Sequence, residues 1–272
     1  MIPAPFDYVR ARSAEEAVAA LAEHGDEAKL LAGGMSLLPL MKLRLATPAV
    51  LVDVGRVRDL SYVRDAGEHV DVGALTRHRD LETSDVLAEH CAPLRTVAGE
   101  VGDNQVRHRG TIGGSVAHGD PASDLPALLL ALDAVFVVRG PGGERTVSAT
   151  EFFHGFLETV LEPDELLTEI RVPKTTGGFS YQKFQRRAQD WAIVGAMAVR
   201  NGATRIALVN MGGTPLRAVA VEEALAGGAS VEEAAAQAAD GTEPPADINA
   251  TPEYREHLAR VLVRRALEVA SG

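Results

Sequence analysis

The sequence predicts an α+β fold in two parts, and three observations lead to it. The first is an opening of helix and short apolar strands, which favours a small parallel β–α–β unit with further strands around it. The second is a succession of three strand-like segments typical of an antiparallel meander: FSYQKFQRR, AIVGAMAVR and TRIALVNMGG. The third is the stretch after Pro215, which is rich in alanine and helical in character.

The first helix is predicted for SAEEAVAALAEHG. Ser13 is suited to cap its N-terminus, Glu16 to close a capping box with it, and Gly25 to end the helix. Three short buried strands are predicted after it: AKLLA, AVLVDVG and HVDVGALT. The first of these strands runs directly into a pair of glycines.

Asp85 to Val101 has helical character, with Pro93 either breaking the helix or opening a second one at its first turn. The rest of the first part is predicted as a buried helix, LPALLLALDA, a strand, VFVVRG, closed by PGG, a short helix and turn, EFFHGFLETVLEPDE, and a strand, LLTEIRVP. Pro173 to Gly178 is the best candidate linker. We therefore expect two domains, residues 1–175 and 176–272, the second with a three-stranded antiparallel sheet and helices broken by GGAS and DGTEPPADINATPE.

Composition excludes several classes of function. The chain has 272 residues, 46% hydrophobic and 24% charged, which is typical of a globular protein. A net charge of −11 argues against general nucleic-acid binding, because phosphate neutralisation needs a basic surface. No apolar run has the length of a membrane span, and the first residues lack the pattern of a secretory signal. We expect a cytoplasmic location.

The cysteine and histidine content argues against a metal centre in this chain. Cys91 is the one cysteine, so neither an internal disulfide nor an iron–sulfur cluster is possible. The eight histidines show no H-x-x-x-H spacing. We predict no metal ligands and no catalytic side chains.

Two loops with paired glycines are the most informative motifs: Ala32 to Ser36, AGGMS, and Arg109 to Ser115, RGTIGGS. Glycine lets backbone N–H groups approach a ligand without an obstructing Cβ, and successive N–H groups form a nest that suits phosphate. A serine hydroxyl adds a donor, and a helix start adds a favourable dipole. A tight strand-to-helix turn without a ligand is the alternative, which the residues alone leave open.

A nicotinamide-dinucleotide site is the nearest rival. LLAGG lies between strand and helix, and Asp53 ends the next strand about where a ribose-binding acid is expected. However, the third glycine is missing, and Pro39 and Lys42 occupy the segment that should pack on the sheet. A P-loop is excluded because no G-K-[ST] occurs.

Taken together, these stretches resemble the FAD-binding medium subunit of the molybdenum hydroxylases, a family that includes carbon monoxide dehydrogenase and relatives of xanthine dehydrogenase. The first family signature, A-G-G-x-S followed by L-L-P-L-M-K-L-R, spans Ala32 to Arg44. The second, R-G-T-I-G-G-S, is intact and is followed by AHGDPASDLPA. Further similar pieces are DELLTEIRVP and YQKFQRRAQDWA, so the resemblance covers nearly the whole chain.

The resemblance implies a fold and a set of cofactor-binding residues. The fold is that of the p-cresol methylhydroxylase-type flavoproteins: two α+β subdomains hold FAD, and a small C-terminal α+β domain closes over it, with the isoalloxazine at the junction. Both glycine loops would face the two phosphates of FAD. The implied residues of the loops are Ala32, Gly33, Gly34, Met35, Ser36, Thr111, Ile112, Gly113, Gly114 and Ser115.

Four more residues are implied at the cofactor. Asp124 would reach the FAD, although from the residues alone it is equally suited to cap the LPALLLAL helix. Leu167 would touch the flavin region from its strand, Tyr181 would shield a face of the ring, and Lys183 would sit close to it. Tyr181 as a half-buried strand aromatic and Lys183 on a solvated strand face remain the alternatives. Arg107 to Arg109 form either a solvated turn or a basic rim near phosphate.

Two departures from the family pattern matter. Position 35 is methionine where the family usually has a polar residue such as glutamine or histidine, so a side-chain hydrogen bond is lost there while backbone donors survive. The cysteine-rich insertion of benzoyl-CoA-reductase-type members is absent from the sequence.

The function implied by the resemblance is electron transfer. FAD held non-covalently by this chain would take electrons from two [2Fe–2S] clusters on a small subunit and pass them to an external acceptor. A large molybdopterin subunit would oxidise the substrate, and the complex would be a dimer of heterotrimers. Two rivals stay open: a self-sufficient flavin reductase similar to UDP-N-acetylmuramate dehydrogenase, and a flavin-free assembly protein with the same fold.

Overall fold

The computed structural model describes residues 1–271, which form three sheets, one hairpin and the helices packed on them. The strands, in chain order, are β1 (Asp7–Arg10), β2 (Ala28–Leu31), β3 (Val50–Asp53), β4 (Val63–Asp65), β5 (His69–Gly73), β6 (Val135–Gly140), β7 (Gly143–Ser148), β8 (Phe153–Gly155), β9 (Glu158–Thr159), β10 (Leu166–Pro173), β11 (Phe179–Phe184), β12 (Val194–Asn201), β13 (Ala203–Val209) and β14 (Leu216–Arg217). The α-helices are α1 (Ala14–His24), α2 (Leu37–Lys42), α3 (His78–Glu82), α4 (Asp85–His90), α5 (Ala92–Gly99), α6 (Asn104–Arg109), α7 (Ile112–His118), α8 (Asp124–Ala131), α9 (Ala149–Phe152), α10 (Val219–Ala226), α11 (Val231–Ala235) and α12 (Pro252–Ser271).

The first sheet is parallel, with strand order β1-β3-β2, and α1 packs on it. Ser13 caps α1 as predicted, because its hydroxyl oxygen accepts the N–H of Glu16 at 3.2 Å. The reciprocal bond of the capping box is displaced by one residue, since the Glu16 carboxylate accepts from the backbone N–H of Arg12 rather than from that of Ser13. Gly25 ends the helix with a φ of +52°, a conformation that glycine adopts easily.

The second sheet is antiparallel, with strand order β4-β5-β10-β6-β7, and its strands contribute to the largest core together with α3, α4, α5, α7 and α8. The predicted helix from Asp85 to Val101 is two helices, α4 and α5, that meet at Cys91. Pro93 lies in the first turn of α5, where a missing N–H leaves no bond unmade. Every residue of α8 is buried.

The third sheet is antiparallel and has four strands, in the order β11-β12-β13-β14. The predicted number, three, is wrong because β14 is only two residues long, too short to leave a period in the sequence. Alternate residues of the central strands enter different cores. Met197 and Val199 join the core that contains α8, whereas Ala196 and Ala198 join the one that contains α12.

Within residues 1–271, no helix is both long enough and apolar enough to cross a membrane. The same residues contain no group of three or more His, Cys, Asp and Glu side chains arranged to hold a metal ion. Cys91 is fully buried, and burial raises the pKa of its thiol to about 11. The thiol is therefore protonated and inert at neutral pH.

Candidate functional site

A cavity of about 830 Å³ lies where the three sheets approach one another. Its walls come from the end of β2 and the start of α2, from α7 and the start of α8, from β10, and from the segment after β11. This volume is in the upper part of the range of small-molecule sites, roughly 300–1,000 Å³. The cavity is therefore large enough for an extended ligand.

The first glycine loop, Ala32 to Ser36, lines the cavity between β2 and α2. Gly34 has a φ of +76°, a left-handed conformation that side chains rarely adopt. Within residues 1–271, the N–H groups of Gly33, Gly34, Met35 and Ser36 have no hydrogen-bond acceptor. Four successive N–H groups without partners, beside a cavity, are the donor set of an anion nest.

The second glycine loop uses its N–H groups differently. Thr111 caps α7, and its hydroxyl accepts the N–H of Gly114 at 3.2 Å while its carbonyl accepts that of Ser115. The N–H groups of Ile112 and Gly113 donate to the carbonyls of Thr76 and Ala74, respectively. The groups of this loop that remain available to a ligand in the cavity are therefore the Ser115 hydroxyl and the Cα of Gly114. A Cβ on Gly114 would have the Thr111 hydroxyl as its one neighbour within 4 Å.

The two loops touch each other through glycine. A Cβ on Gly33 would overlap the carbonyl oxygen of Arg109 and lie 2.9 Å from the Cα of Gly110. Gly113 makes room for Ala74, the residue after β5, in the same way, because a Cβ on Gly113 would lie 2.5 Å from the Cβ of Ala74. Close packing of backbone, rather than unusual φ angles, explains these two glycines.

Asp124 does not cap α8. Ser123 occupies the N-cap position without a side-chain capping bond, and the helix begins at Asp124. The Asp124 carboxylate accepts instead from the Tyr181 hydroxyl at 2.5 Å and from the Lys183 ammonium at 2.8 Å. Leu167 lies next to a β-bulge between β10 and β6, and bulges commonly adjust a side chain beside a binding site.

Most of the predicted cofactor-binding residues come together in one place. Those that line the cavity are Ala32, Gly33, Gly34, Met35, Ser36, Thr111, Gly113, Gly114, Ser115, Asp124, Leu167 and Lys183. Ile112 is fully buried in the core and Tyr181 lies behind Asp124, so neither is part of the cavity wall. Their roles at the cofactor stay predictions.

His78 is a cavity residue that sequence reasoning missed. Its Nε2 is 3.3 Å from the Ser115 hydroxyl, and its Nδ1 is buried without a hydrogen-bond partner in residues 1–271. Burial lowers the pKa of His78 to about 4, so the ring is neutral at physiological pH. No motif marks His78, since its contact with Ser115 joins residues 37 positions apart in the chain.

The outer edge of the cavity was missed as well. Leu157 and Trp191 line the cavity and are exposed, by 40% and 60%, respectively. Leu157 and Gln189, which also lines the cavity, both have a positive φ, 59° and 71°. An exposed apolar edge of this kind is typical of a surface that receives another molecule.

Arg107 and Arg109 do not form a basic rim on the cavity. The Arg107 guanidinium donates to the Glu82 carboxylate and to the carbonyl of Gly102, which ties α6 to its surroundings. Arg109 is exposed, and its carbonyl accepts from the Arg77 guanidinium. Neither arginine is part of the cavity wall.

The donors of the cavity fit a diphosphate group. Among the described residues that line it, Lys29 and Lys183 are the permanently cationic ones, and Lys183 already pairs with Asp124. An anion at the glycine loops is therefore stabilised chiefly by N–H groups and hydroxyls rather than by cationic side chains. The unpaired N–H groups, the bare face of Gly114 and the volume together fit the FAD that the resemblance implies.

Comparison with known proteins identifies both parts of the chain. Residues 4–175 match the family described as the FAD binding domain in molybdopterin dehydrogenase, and residues 179–270 match the CO dehydrogenase flavoprotein C-terminal domain. The carbon monoxide dehydrogenase medium chain of Hydrogenophaga pseudoflava is 43% identical, over 99% of this chain and 98% of that protein. That of Afipia carboxidovorans is 41% identical, over 100% and 99%, respectively.

The fold agrees with a solved structure of the same kind. A carbon monoxide dehydrogenase from Hydrogenophaga pseudoflava, solved in a form that lacks the Mo-pyranopterin moiety of the molybdenum cofactor, has a chain that superposes with a TM-score of 0.96 at 44% identity. The match covers 100% of this chain and 99% of that one. The similarity therefore extends over both sequence and architecture.

Proposed function

Because the chain belongs to the family of FAD-binding medium subunits of the molybdenum hydroxylases, we propose that it binds FAD non-covalently and conducts electrons from the [2Fe–2S] clusters of a partner subunit to an external acceptor. The observation that supports this best is the row of N–H groups from Gly33 to Ser36 that lack protein acceptors and lie beside the cavity. Such a row suits a diphosphate, and diphosphate recognition is what distinguishes FAD from a simple flavin.

Different residues of the cavity bind the diphosphate and the remainder of the cofactor. The N–H groups of Gly33 to Ser36 and the hydroxyl of Ser115 bind the diphosphate, and Gly114 lets it approach the start of α7. The Leu167 side chain contributes apolar surface from β10, and Asp124 contributes hydrogen-bond acceptors from α8. When bound, FAD supplies the interconversion of one-electron and two-electron transfer.

The chain works as one subunit of a complex. A single cysteine, which is fully buried, cannot hold an iron–sulfur cluster, so a second chain must bring the electron donor. We place the clusters on a small subunit and the substrate chemistry on a large molybdopterin subunit, in a cytoplasmic dimer of heterotrimers. The large subunit determines whether the substrate is carbon monoxide, an aldehyde or an N-heterocycle.

Purification of the tagged chain from its native host tests the assembly. We expect two co-purifying chains, one with ferredoxin-like cysteine clusters and one with a molybdopterin-binding sequence, together with molybdenum and iron by metal analysis. A yellow chain that purifies alone, with neither metal nor partner, would refute the proposal of a complex.

Anaerobic reduction tests the electron route. The isolated, FAD-loaded chain should show no bleaching of its flavin absorbance with carbon monoxide, an aldehyde or an N-heterocycle, whereas the intact complex should bleach with the substrate of its large subunit. Dithionite-reduced chain mixed with a quinone dye should reoxidise and serves as the control for a competent flavin. Rapid bleaching of the isolated chain by any of the three substrates would favour a stand-alone flavoenzyme.

A further inference from the structure

A buried polar cluster joins the C-terminal sheet to the cavity. Tyr181 and Lys183 stand two residues apart on β11 and therefore point to the same face of the strand. Both side chains donate to one carboxylate, that of Asp124 on α8: the tyrosine to Oδ1 at 2.5 Å and the lysine to Oδ2 at 2.8 Å. The lysine also donates to the backbone carbonyl of Glu100 at 2.9 Å.

The polar groups of the cluster are largely buried, so each of its bonds matters. Asp124 is 7% exposed and the Lys183 side chain 6%. Burial raises the pKa of Asp124, and the ammonium of Lys183 opposes that rise. Burial and the neighbouring carboxylate raise the pKa of Tyr181 well above its ordinary value, so its hydroxyl stays protonated and remains a donor. A buried carboxylate that loses a donor is strongly destabilised.

The protein makes room for the tyrosine ring behind the carboxylate. A Cβ on Gly195, in the neighbouring strand β12, would lie 3.1 Å from the Tyr181 ring and hydroxyl, a distance tighter than most Cβ contacts. Asp124 and Lys183 line the cavity, but Tyr181 does not. The tyrosine is thus one layer removed from any molecule in the cavity.

The Asp124 carboxylate has acceptor capacity left after these two bonds. An ionised carboxylate offers about four lone-pair sites, and the donors from β11 engage one on each oxygen. The remaining sites are available to hydroxyl or N–H donors of a ligand in the cavity that Asp124 lines. The orientation of these sites depends on where the tyrosine hydroxyl and the ammonium hold the two oxygens.

We propose that Tyr181 is a positioning residue, which acts on the cofactor through Asp124 by holding the carboxylate in the orientation that binds FAD. The C-terminal domain thereby completes a binding site whose loops lie in the first part of the chain. This inference rests on the proposed binding of FAD. It differs from the role that the family resemblance implies, in which the tyrosine ring shields a face of the flavin. The two roles predict different effects of substitutions at Tyr181 on FAD affinity and on the flavin spectrum.

Two substitutions at Tyr181 separate these roles. Tyr181→Phe keeps the ring and removes only the hydroxyl, whereas Tyr181→Leu removes both. The complex is purified for each variant, stripped of FAD and titrated with FAD while flavin fluorescence is followed. Positioning through Asp124 predicts a Kd about tenfold higher for both variants, as expected for one hydrogen bond to a buried charged group, with the flavin absorbance spectrum unchanged. Tyr254→Phe, a tyrosine of the same domain whose hydroxyl makes no hydrogen bond within residues 1–271, is the matched control and should leave the Kd unchanged.

A double substitution tests whether the effect passes through the carboxylate. In an Asp124→Ala background, Tyr181→Phe should raise the Kd no further, because the tyrosine has lost the group through which it acts. Additive effects would overturn the proposal, as would a silent Tyr181→Phe combined with a changed flavin spectrum in Tyr181→Leu. A lower melting temperature of the FAD-free complex with an unchanged Kd would show a merely structural role. Failure of the wild-type complex to bind FAD at all would instead refute the proposed function, and this inference with it.

Discussion

Replacement of Gly33 by alanine tests whether the two glycine loops form one site because their backbones pack directly on each other. The added Cβ would lie 2.9 Å from the Cα of Gly110 and overlap the carbonyl oxygen of Arg109. Ordinary van der Waals contact begins at 3.4 Å, so the loops must separate by at least 3.4 − 2.9 = 0.5 Å, and by more at the oxygen. Both obstructing groups are backbone, which cannot rotate away as a side chain would.

Gly33→Ala is expected to lower both the stability of the protein and its affinity for FAD. Overpacking of this kind lowers the free energy of unfolding by about 1–3 kcal/mol. In addition, displaced loops no longer present the N–H groups of Gly33 to Ser36 and the hydroxyl of Ser115 to one diphosphate. Loss of one or two such charge-assisted bonds, at about 1.5–3 kcal/mol each, weakens FAD binding by roughly one to four orders of magnitude.

Thermal unfolding of the FAD-free protein measures the loss of stability, and titration with FAD measures the loss of affinity. Gly142→Ala is the matched control, because a Cβ on Gly142 meets no atom within 4 Å and its φ is not in the left-handed region. It should leave both the melting temperature and the Kd unchanged. If Gly33→Ala also left both unchanged, direct packing of the two loops would not be what assembles the site.

Three further outcomes are expected. Gly114→Val places a branched side chain on the face of α7 that lines the cavity and should strongly reduce FAD occupancy, whereas Met35→Ala should change occupancy little, because only backbone is used there. Comparable flavin loss in both variants would show that the contacts are misassigned. His78 has a pKa of about 4 in the folded protein against 6.5 ordinarily, so the unfolded chain gains the proton first as pH falls, and stability is lost between these values. From pH 7 to pH 5 this amounts to about 2 kcal/mol. His78→Gln should therefore reduce the pH dependence of the free energy of unfolding, measured by urea denaturation, by about that amount, and an unchanged pH dependence would contradict a buried neutral histidine. Finally, acid precipitation should release the flavin into the supernatant, because the sequence shows no histidyl or cysteinyl attachment motif and the one cysteine is fully buried. Flavin that stays in the pellet would refute non-covalent binding.

Local sequence signals predicted the elements and the loops, whereas the contacts between distant residues could not be predicted. Ser13 and Gly25 act through neighbours in the chain, so their patterns are visible in the sequence. The packing of Gly33 on Arg109, the pairing of His78 with Ser115 and the bond from Tyr181 to Asp124 join residues far apart in the chain. Such contacts depend on how the sheets pack, which no period in the sequence records.

In the second glycine loop, the sequence motif predicted a role for the glycines that differs from the one they have in the structure. The glycines of RGTIGGS predicted a second nest of N–H groups, yet the described structure has those of Ile112, Gly113 and Gly114 bonded within the protein. Glycine serves close approach here: Gly113 toward Ala74, and Gly114 toward the open cavity. Sequence alone does not separate a glycine that frees an N–H group from one that only removes a Cβ.

The burial of α8 explains why the two parts of the chain should form a single functional unit. A helix that is apolar on every side must be covered on every side, and α8 is buried throughout its eight residues. One side packs in the core of the second sheet, and the other meets Met197, Val199, Ala207 and Val209 of the C-terminal sheet. Asp124, the first residue of the same helix, takes both of its side-chain donors from that sheet. The apolar contacts that fix α8 and the polar contacts that orient its first carboxylate thus come from the same strands, so a displacement of the C-terminal sheet disturbs the core and the cofactor cavity together.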